Sequence, residues 1–126
     1  GGAVIARPFL QAHGDTTSLG FRIGNLAYSC DVNGLPDESG AALADLDVWI
    51  VDALRYAPHP SHWTVGETLD WIARLRPRRA ILTNLHVDLD YETLRAKLPP
   101  RVEPAFDGMR VTLPAVSALQ PSAAST

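Results

Sequence analysis

The stretch DVWIVDAL, residues 47–54, holds an unbroken apolar run from Val48 to Val51 and then a carboxylate at Asp52. A run of this kind is typical of a strand that is buried on both faces, as the strands of parallel α/β sheets are. A second run of the same character, RAILTNL, follows at residues 79–85. The two stretches predict neighbouring strands at the centre of a sheet.

The segment between these strands, TVGETLDWIARL (64–75), has the pattern of a helix. Thr64 and Glu67 stand at the spacing of a capping box, and apolar residues then recur at helical intervals until Pro77 ends the pattern. YETLRAKL (91–98) predicts a second helix, which Pro99 and Pro100 end. The chain therefore contains a strand–helix–strand–helix unit, which indicates an α/β layered fold.

The segments on either side of this unit predict short strands and one short helix. Before it we expect a strand at 3–13 that runs into a loop at 13–15, a hairpin of 18–24 and 26–31 about Gly24-Asn25, and a short helix at 35–46. After it, VEPAF and MRVTL flank Asp107-Gly108, which predicts a last hairpin. Residues 1–113 make one domain in this interpretation, and the tail at 114–126, rich in Ala, Ser and Pro, is expected to be disordered.

Composition narrows the classes of function. The chain has 126 residues, 46% of them hydrophobic, and a net charge of −3. Without a run of basic residues, nucleic-acid binding is not indicated, and without an apolar stretch of about 20 residues a membrane helix is not indicated either. The single Cys30 excludes an internal disulfide. Together with the absence of a secretory signal, it predicts a cytoplasmic protein.

Polar side chains that carry chemistry follow the predicted strands. His13 follows the first strand, Asp31 ends YSCD, Asp52 ends VWIVD and His86 follows AILTN, while His59 and His62 lie in the loop RYAPHPSHW. Ligand sites of open α/β sheets gather at the carboxyl ends of the strands. Neutral imidazoles and carboxylates are ligands that suit Zn, Mn or Fe. The pattern therefore predicts a metal site at the edge of the sheet where the strands have their carboxyl ends, which we call the metal edge.

Each of these residues also has a simpler interpretation. Asp31 can start the turn DVNG, and Asp52 can hold a loop through backbone amides. His59, which has a proline on each side, can merely shape its loop. Asp88 and Asp90 are expected to cap the following helix. No short ligand motif such as HxH or HxxxH occurs in the chain, so spacing alone leaves both interpretations open.

Five segments in order resemble the C-terminal half of metallo-β-lactamase-fold hydrolases, and most closely the phosphoribosyl cyclic phosphate phosphodiesterases, which are relatives of tRNase Z. They are QAHGDTTSLGFRI, LAYSCDVNGLPDES, VDALRYAPHPSHWTVGETLDWI, AILTNLHVDLDYETL and VEPAFDGM. The resemblance covers residues 3–113. It implies the αβ half of an αββα sandwich, with a mixed sheet and flanking helices.

The resemblance also implies roles for five residues and a cofactor. His13, Asp31 and His86 fall on or near metal ligands, with Asp31 as the carboxylate that bridges two divalent transition-metal ions, Zn or Mn. His62 falls on a loop histidine that contacts the scissile phosphate or the leaving group, and Asp52 supports the metal edge. Many relatives have their last metal histidine at the position of Asn84, two residues before His86.

The other half of the family's site is missing from the sequence. The family carries an HxHxDH motif in its N-terminal half, and this chain has neither that motif nor an initiating Met. We therefore expect a C-terminal fragment whose exposed sheet face pairs with the missing half or with a second copy of itself.

The expected function is thus part of a binuclear metal-dependent phosphodiesterase for a small cyclic or nucleotide-like substrate, inactive as this chain alone. Two alternatives stay open on sequence grounds. The first is a non-catalytic α/β interaction module, in which the histidines are structural. The second is a thioester or lactone hydrolase of the same fold.

Overall fold

The computed structural model describes residues 4–86 and 89–113. Strands and helices alternate along the described chain after an initial run of three strands. In order they are β1 (Arg7–His13), β2 (Thr16–Ile23), β3 (Leu26–Ser29), α1 (Asp37–Gly40), a 3-10 helix (Ala41–Leu43), β4 (Val48–Asp52), α2 (Val65–Leu75), β5 (Arg79–Thr83), α3 (Tyr91–Lys97) and β6 (Val102–Pro104).

The described strands form one mixed sheet in which every strand lies beside its sequence neighbour, in the order β1-β2-β3-β4-β5-β6. β1, β2 and β3 pair antiparallel, whereas β3, β4, β5 and β6 pair parallel. β1 therefore runs in the same direction as β3, β4 and β5. Consequently the carboxyl ends of these four strands meet at one edge of the sheet, which is the edge that the sequence pattern predicts for the site.

The helices cover one face of this sheet and bury its core. Trp49 and Val51 of β4 and Leu82 of β5 are fully buried there, beside Val65 of α2 and Leu94 of α3. Trp63 lies between Trp49, with which it makes an edge-to-face contact, and Trp71, on which it stacks. This packing confirms the predicted α/β class with flanking helices.

The opposite face of the antiparallel strands is uncovered. Leu10 pairs with Leu19 across β1 and β2, and Phe21 pairs with Tyr28 across β2 and β3. Cross-strand partners point to the same face of a sheet, so these four side chains form one surface. They are 38–51% exposed. We call Leu10, Leu19, Phe21 and Tyr28 the open apolar face.

Local signals in the sequence account for the helix ends. The Thr64 side chain accepts a hydrogen bond from the Glu67 N–H while Glu67 accepts one from the Thr64 N–H, which is the predicted capping box. Asp90 caps α3 by accepting from the Thr93 N–H, as predicted. None of the helices in the described part of the chain has the length and apolar character that crossing a membrane requires.

Two predicted elements are wrong in extent or pairing. The predicted helix at 35–46 is a single turn of α-helix followed by a 3-10 turn, and it ends at Leu43. The predicted last hairpin does not form: the Met109 N–H closes a turn on the Phe106 carbonyl, and residues 109–113 form no strand. Pro104 ends β6 and has no N–H to offer a returning strand. Asp88 and the predicted tail at 114–126 lie outside the described residues.

Candidate metal centre

Three of the predicted residues come together at the carboxyl edge of the sheet. Each of His13, Asp31 and His62 places one ligand atom within 4.8 Å of those of the other two. The Nε2 atom of His62 lies 4.0 Å from Oδ1 of Asp31. Two imidazoles and a carboxylate are a donor set that fits a divalent transition-metal ion. Because such ions take four or more ligands, this group makes only part of a coordination shell.

Different elements bring these three side chains to one place. His13 is the last residue of β1, Asp31 follows β3, and His62 lies in the loop between β4 and α2. Asp31 has a φ of 53°, in the left-handed region, where Asp is tolerated better than most residues. This backbone conformation occurs just where the chain leaves the sheet, and functional sites are where such conformations concentrate.

A backbone carbonyl orients the ring of His13. The Nδ1 atom of His13 lies 2.9 Å from the carbonyl oxygen of Ser61. A carbonyl can only accept, so Nδ1 carries the proton and Nε2 has a free lone pair. An imidazole held through one nitrogen in this way is oriented to bind a metal ion through the other.

The ring of His62 is oriented by a buried carboxylate. Its Nδ1 atom lies 2.6 Å from Oδ2 of Asp52, whose residue is 0% exposed. The Asp52 carboxylate also accepts hydrogen bonds from the Val32 N–H at 3.2 Å and from the side-chain amide of Asn84 at 3.2 Å. Three donors satisfy this buried group, so Asp52 is placed to fix the ring of His62.

His59 borders the group without joining it. Its ring centroid lies 5.0 Å from that of His62, which in turn lies 5.0 Å from that of His13. The Nδ1 atom of His59 accepts a hydrogen bond from the Ser61 N–H at 3.1 Å. Desolvation, and next the positive charge of Arg55, lower the pKa of His59 below its ordinary value. The sequence offered only a loop-shaping role for this residue.

The structure places His86 outside the group of three. Its backbone N–H donates to the carbonyl of Leu54 at 2.8 Å, and its own carbonyl accepts from the Leu89 N–H at 2.9 Å. Its assignment as the last metal ligand stays a prediction. Asn84, two residues earlier, has a φ of 58° and turns its amide toward Asp52.

Two residues of the site escaped sequence reasoning. Ser61 orients His13 through its carbonyl and His59 through its N–H, and a backbone role of this kind leaves no mark on the residue type. The resemblance marks Asn84 as a departure from a histidine and leaves open whether Asn84 or His86 takes the last ligand position, but it does not predict the contact of Asn84 with Asp52. Its position directly after the strand AILT, together with the tolerance of Asn for left-handed backbone, was the signal that could have found it.

Open space adjoins this edge of the sheet. A pocket of about 430 Å³ lies at the ends of β5 and β6, with Asn84 and Phe106 among its lining residues. Asn84 thus separates the pocket from His62, to which its amide comes within 3.5 Å. A larger pocket of about 650 Å³ lies at the other end of β1 and β2, between Arg7 and Arg22, away from the histidines.

Cys30 does not have the properties of a nucleophile. Burial is the main cause that raises the pKa of its thiol, so the reactive thiolate is disfavoured. Its neighbour Tyr28 has a pKa raised to about 12, mainly through a hydrogen bond with Cys30.

Comparison with known proteins agrees with this architecture. A family model described as the beta-lactamase superfamily domain matches residues 2–85. A solved diphosphatase of the PhnP family is 33% identical, with a TM-score of 0.82 over 84% of this chain and 42% of its own. The human tRNase Z short form is 19% identical, with a TM-score of 0.71 over 89% of this chain and 43% of its own.

Two further matches bear on the fold and on the length of the chain. The metallo-beta-lactamase fold protein YhfI of Bacillus subtilis is 18% identical, with a TM-score of 0.67 over 83% of this chain and 48% of its own. An octanoyltransferase of Porphyromonas gingivalis is 29% identical over 113 residues, which are 87% of this chain and 23% of that protein. The chain thus spans less than half the length of each of these four proteins. It belongs to the beta-lactamase superfamily and has the metallo-β-lactamase fold.

Proposed function

We propose that the complete protein is a hydrolase with two divalent transition-metal ions, Zn²⁺ or Mn²⁺, that cleaves a small cyclic or nucleotide-like phosphodiester. The observation that carries the proposal is that two proposed metal ligands, His13 and Asp31, lie within 4.8 Å of the proposed proton donor, His62, at the carboxyl edge of the sheet. The similar protein of the PhnP family is a diphosphatase, which supports a phosphoryl compound as the substrate class. The single cysteine supports a cytoplasmic location.

In this proposal His13 and Asp31 hold the metal ions, and His86 is the last ligand of this chain. Bound divalent ions supply Lewis-acid polarisation of the phosphoryl oxygens and make water more acidic. The residues of this chain then bind the substrate beside the ions and handle the proton.

In the same proposal His62 donates a proton to the leaving group, and Asp52 supports His62 in this role. Hydrolysis adds the hydroxyl group of water to phosphorus and a proton to the leaving oxygen. The Nδ1–H of His62 donates to Asp52, so the second proton of the imidazolium form is on Nε2, 4.0 Å from Asp31, and Nε2 gives this proton to the leaving oxygen. A buried carboxylate behind an imidazole keeps the ring in one tautomer and stabilises its protonated form.

The open apolar face is the surface that the second half of the fold would cover. Leu10, Leu19, Phe21 and Tyr28 are apolar or aromatic and lie on one side of the antiparallel strands. The chain covers 42% of the diphosphatase structure. A second αβ half that packs on this face would bury it and bring further ligands to the metal edge. Such a half, or a second copy of this chain, is the proposed partner.

The experiment uses the longest protein that the gene encodes. After chelation and reloading with Mn²⁺ or Zn²⁺, it is assayed against a cyclic phosphodiester, a nucleotide diester and a diphosphate ester, with a thioester and a lactone for comparison. Metal-dependent hydrolysis of a phosphodiester is expected. Turnover confined to the thioester or the lactone would reject the phosphodiesterase, and no turnover with any substrate would favour a non-catalytic module.

Two variants distinguish the proposed metal ligand, His86, from the proposed proton donor, His62. His86→Ala is expected to lower the metal content of the complete protein. His62→Ala is expected to keep the metal but lower kcat, because it removes the proton donor. If His62→Ala loses metal and His86→Ala keeps it, the two roles are exchanged.

A further inference from the structure

Three histidines lie together at the carboxyl edge of the sheet: His13, His59 and His62. Each is held by a hydrogen bond at its Nδ1 atom. Nδ1 of His13 faces the Ser61 carbonyl, Nδ1 of His62 faces the Asp52 carboxylate, and Nδ1 of His59 faces the Ser61 N–H. The Nε2 atoms are therefore the ones left for a ligand. The partners differ in kind, however, and this difference fixes where each proton lies.

His59 has the opposite tautomer from the other two. A carbonyl and a carboxylate accept, so His13 and His62 carry the proton on Nδ1 and have a lone pair on Nε2. A backbone N–H only donates, so Nδ1 of His59 has the lone pair and the proton of the neutral ring is on Nε2. His13 and His62 can thus bind a metal ion or take a proton, whereas His59 presents an N–H donor.

The loop that carries His59 is held in place by several contacts. Arg55 donates to the carbonyls of Ala57 and Pro58, and Asn33 donates to the carbonyl of Pro60. Pro58 and Pro60 restrict the backbone on both sides of the ring. The donor is therefore preorganised, which lowers the entropy that binding an anion costs.

We propose that His59 binds the phosphoryl group of the substrate, with its Nε2–H donating a hydrogen bond to an anionic oxygen. The proposal rests on the proposed function for the class of substrate. His59 lies next to His62, with 5.0 Å between ring centroids, and so it contacts the anion while His62 serves the leaving oxygen. A hydrogen bond to an anionic oxygen is about twice as strong as one between neutral groups.

The tautomer is tested first, on the 126-residue chain without turnover. The chain has four histidines, so the ring ¹⁵N signals can be assigned by single substitutions. At a pH well above the ordinary pKa of histidine, His59 is expected to carry its proton on Nε2, and His13 and His62 on Nδ1. An Nδ1-protonated His59 would overturn the proposal.

Inorganic phosphate is the probe for binding. Substitution of His59 by Gln or by Asn distinguishes a role in binding phosphate from a role in holding the loop. In His59→Gln the amide NH₂ lies near the position of Nε2, whereas in His59→Asn the amide oxygen can replace Nδ1 as acceptor for Ser61. Phosphate is expected to shift the His59 signals of the unsubstituted chain. His59→Gln should keep the phosphate affinity, while His59→Asn and His59→Ala should weaken it about tenfold.

Two results would overturn the binding role. One is the absence of any phosphate effect on His59. The other is an affinity that His59→Asn keeps and His59→Gln loses, which would show that the ring only holds Ser61. Neither readout needs catalysis, so both remain decisive if the hydrolase assay fails.

Discussion

Nδ1 of His62 lies 2.6 Å from Oδ2 of Asp52, and Asp52 is fully buried at the end of β4. The same carboxylate accepts from the Val32 N–H and from Asn84. A strand in which four of five residues are buried thus ends in a carboxylate that accepts three hydrogen bonds. This arrangement ties the position of one loop histidine to the centre of the sheet.

Asp52→Asn is therefore expected to impair the site more than the fold. The amide keeps the shape but removes the carboxylate that holds the ring of His62 in one orientation and tautomer, so kcat of the complete protein should fall about 10–100-fold. The measurement is steady-state hydrolysis of a phosphodiester, with metal content determined in parallel. Asp45→Asn, on the exposed surface, is the control. An unchanged kcat in Asp52→Asn would contradict the proposed role.

Gly20 and Gly40 form a matched pair for stability. A Cβ at Gly20 would lie 2.4 Å from the Phe9 ring and 2.5 Å from Oε1 of Gln11, both buried, so Gly20→Ala should cost about 1–3 kcal/mol of unfolding free energy. Gly40 has helical dihedral angles and open space around it, so Gly40→Ala should add about 0.5 kcal/mol. Urea unfolding of both variants measures the difference. If the two variants had equal free energies of unfolding, the Phe9 ring would be able to move away from a Cβ at residue 20 without destabilising the fold.

The open apolar face predicts association of the chain with itself. An exposed patch that includes Leu10, Leu19, Phe21 and Tyr28 loses contact with water when two copies meet. Sedimentation of the 126-residue chain should therefore show a mass that rises with concentration. Leu10→Lys with Leu19→Lys should abolish the rise.

The control for this experiment adds the same charge elsewhere. Ala73→Lys with Ala96→Lys places two lysines on exposed positions of α2 and α3. This control should associate as the unsubstituted chain does. Equal behaviour of the two double variants would show that net charge, and not the face, governs association.

Asp90 gives α3 a predictable pH dependence. Hydrogen bonds from the Thr93 side chain, and next from the Thr93 N–H, lower the pKa of Asp90 below its ordinary value of 3.8. A group with a lowered pKa stabilises the fold at pH values above the unfolded pKa, and this contribution is lost as the pH falls through the folded pKa. The Tm difference between the unsubstituted chain and Asp90→Ala should be largest at neutral pH and should decrease below pH 3.8. A difference that does not change with pH would exclude the charged cap.

Sequence patterns predicted the parallel half of the sheet well because its signals are strong and local. Apolar runs marked β4 and β5, and Thr64 with Glu67 marked the start of α2. The prediction of the last hairpin was wrong because the turn signal at Asp107-Gly108 does not determine whether the residues after the turn pair with β6. Pairing depends on the free edge of β6, which Pro104 limits.

The site was only partly predictable for a similar reason. Strand order alone puts His13, Asp31 and Asp52 at one edge, because each ends or follows a strand. The hydrogen bonds of Ser61 depend on the path of a loop, and no residue pattern encodes that path. The hydrogen bond from the Ser61 N–H to His59, on which the inferred tautomer of His59 rests, therefore became apparent only in the structure.

Metal content by elemental analysis tests the central proposal most directly. It is measured on the longest protein that the gene encodes and on the 126-residue chain, each purified with and without Zn²⁺ or Mn²⁺. The expected result is close to two transition-metal ions in the longer protein, fewer in the chain, and a loss in both when His13 is replaced by Ala. A longer protein that holds no transition metal under any condition would contradict the metal centre and leave the histidines with a structural role.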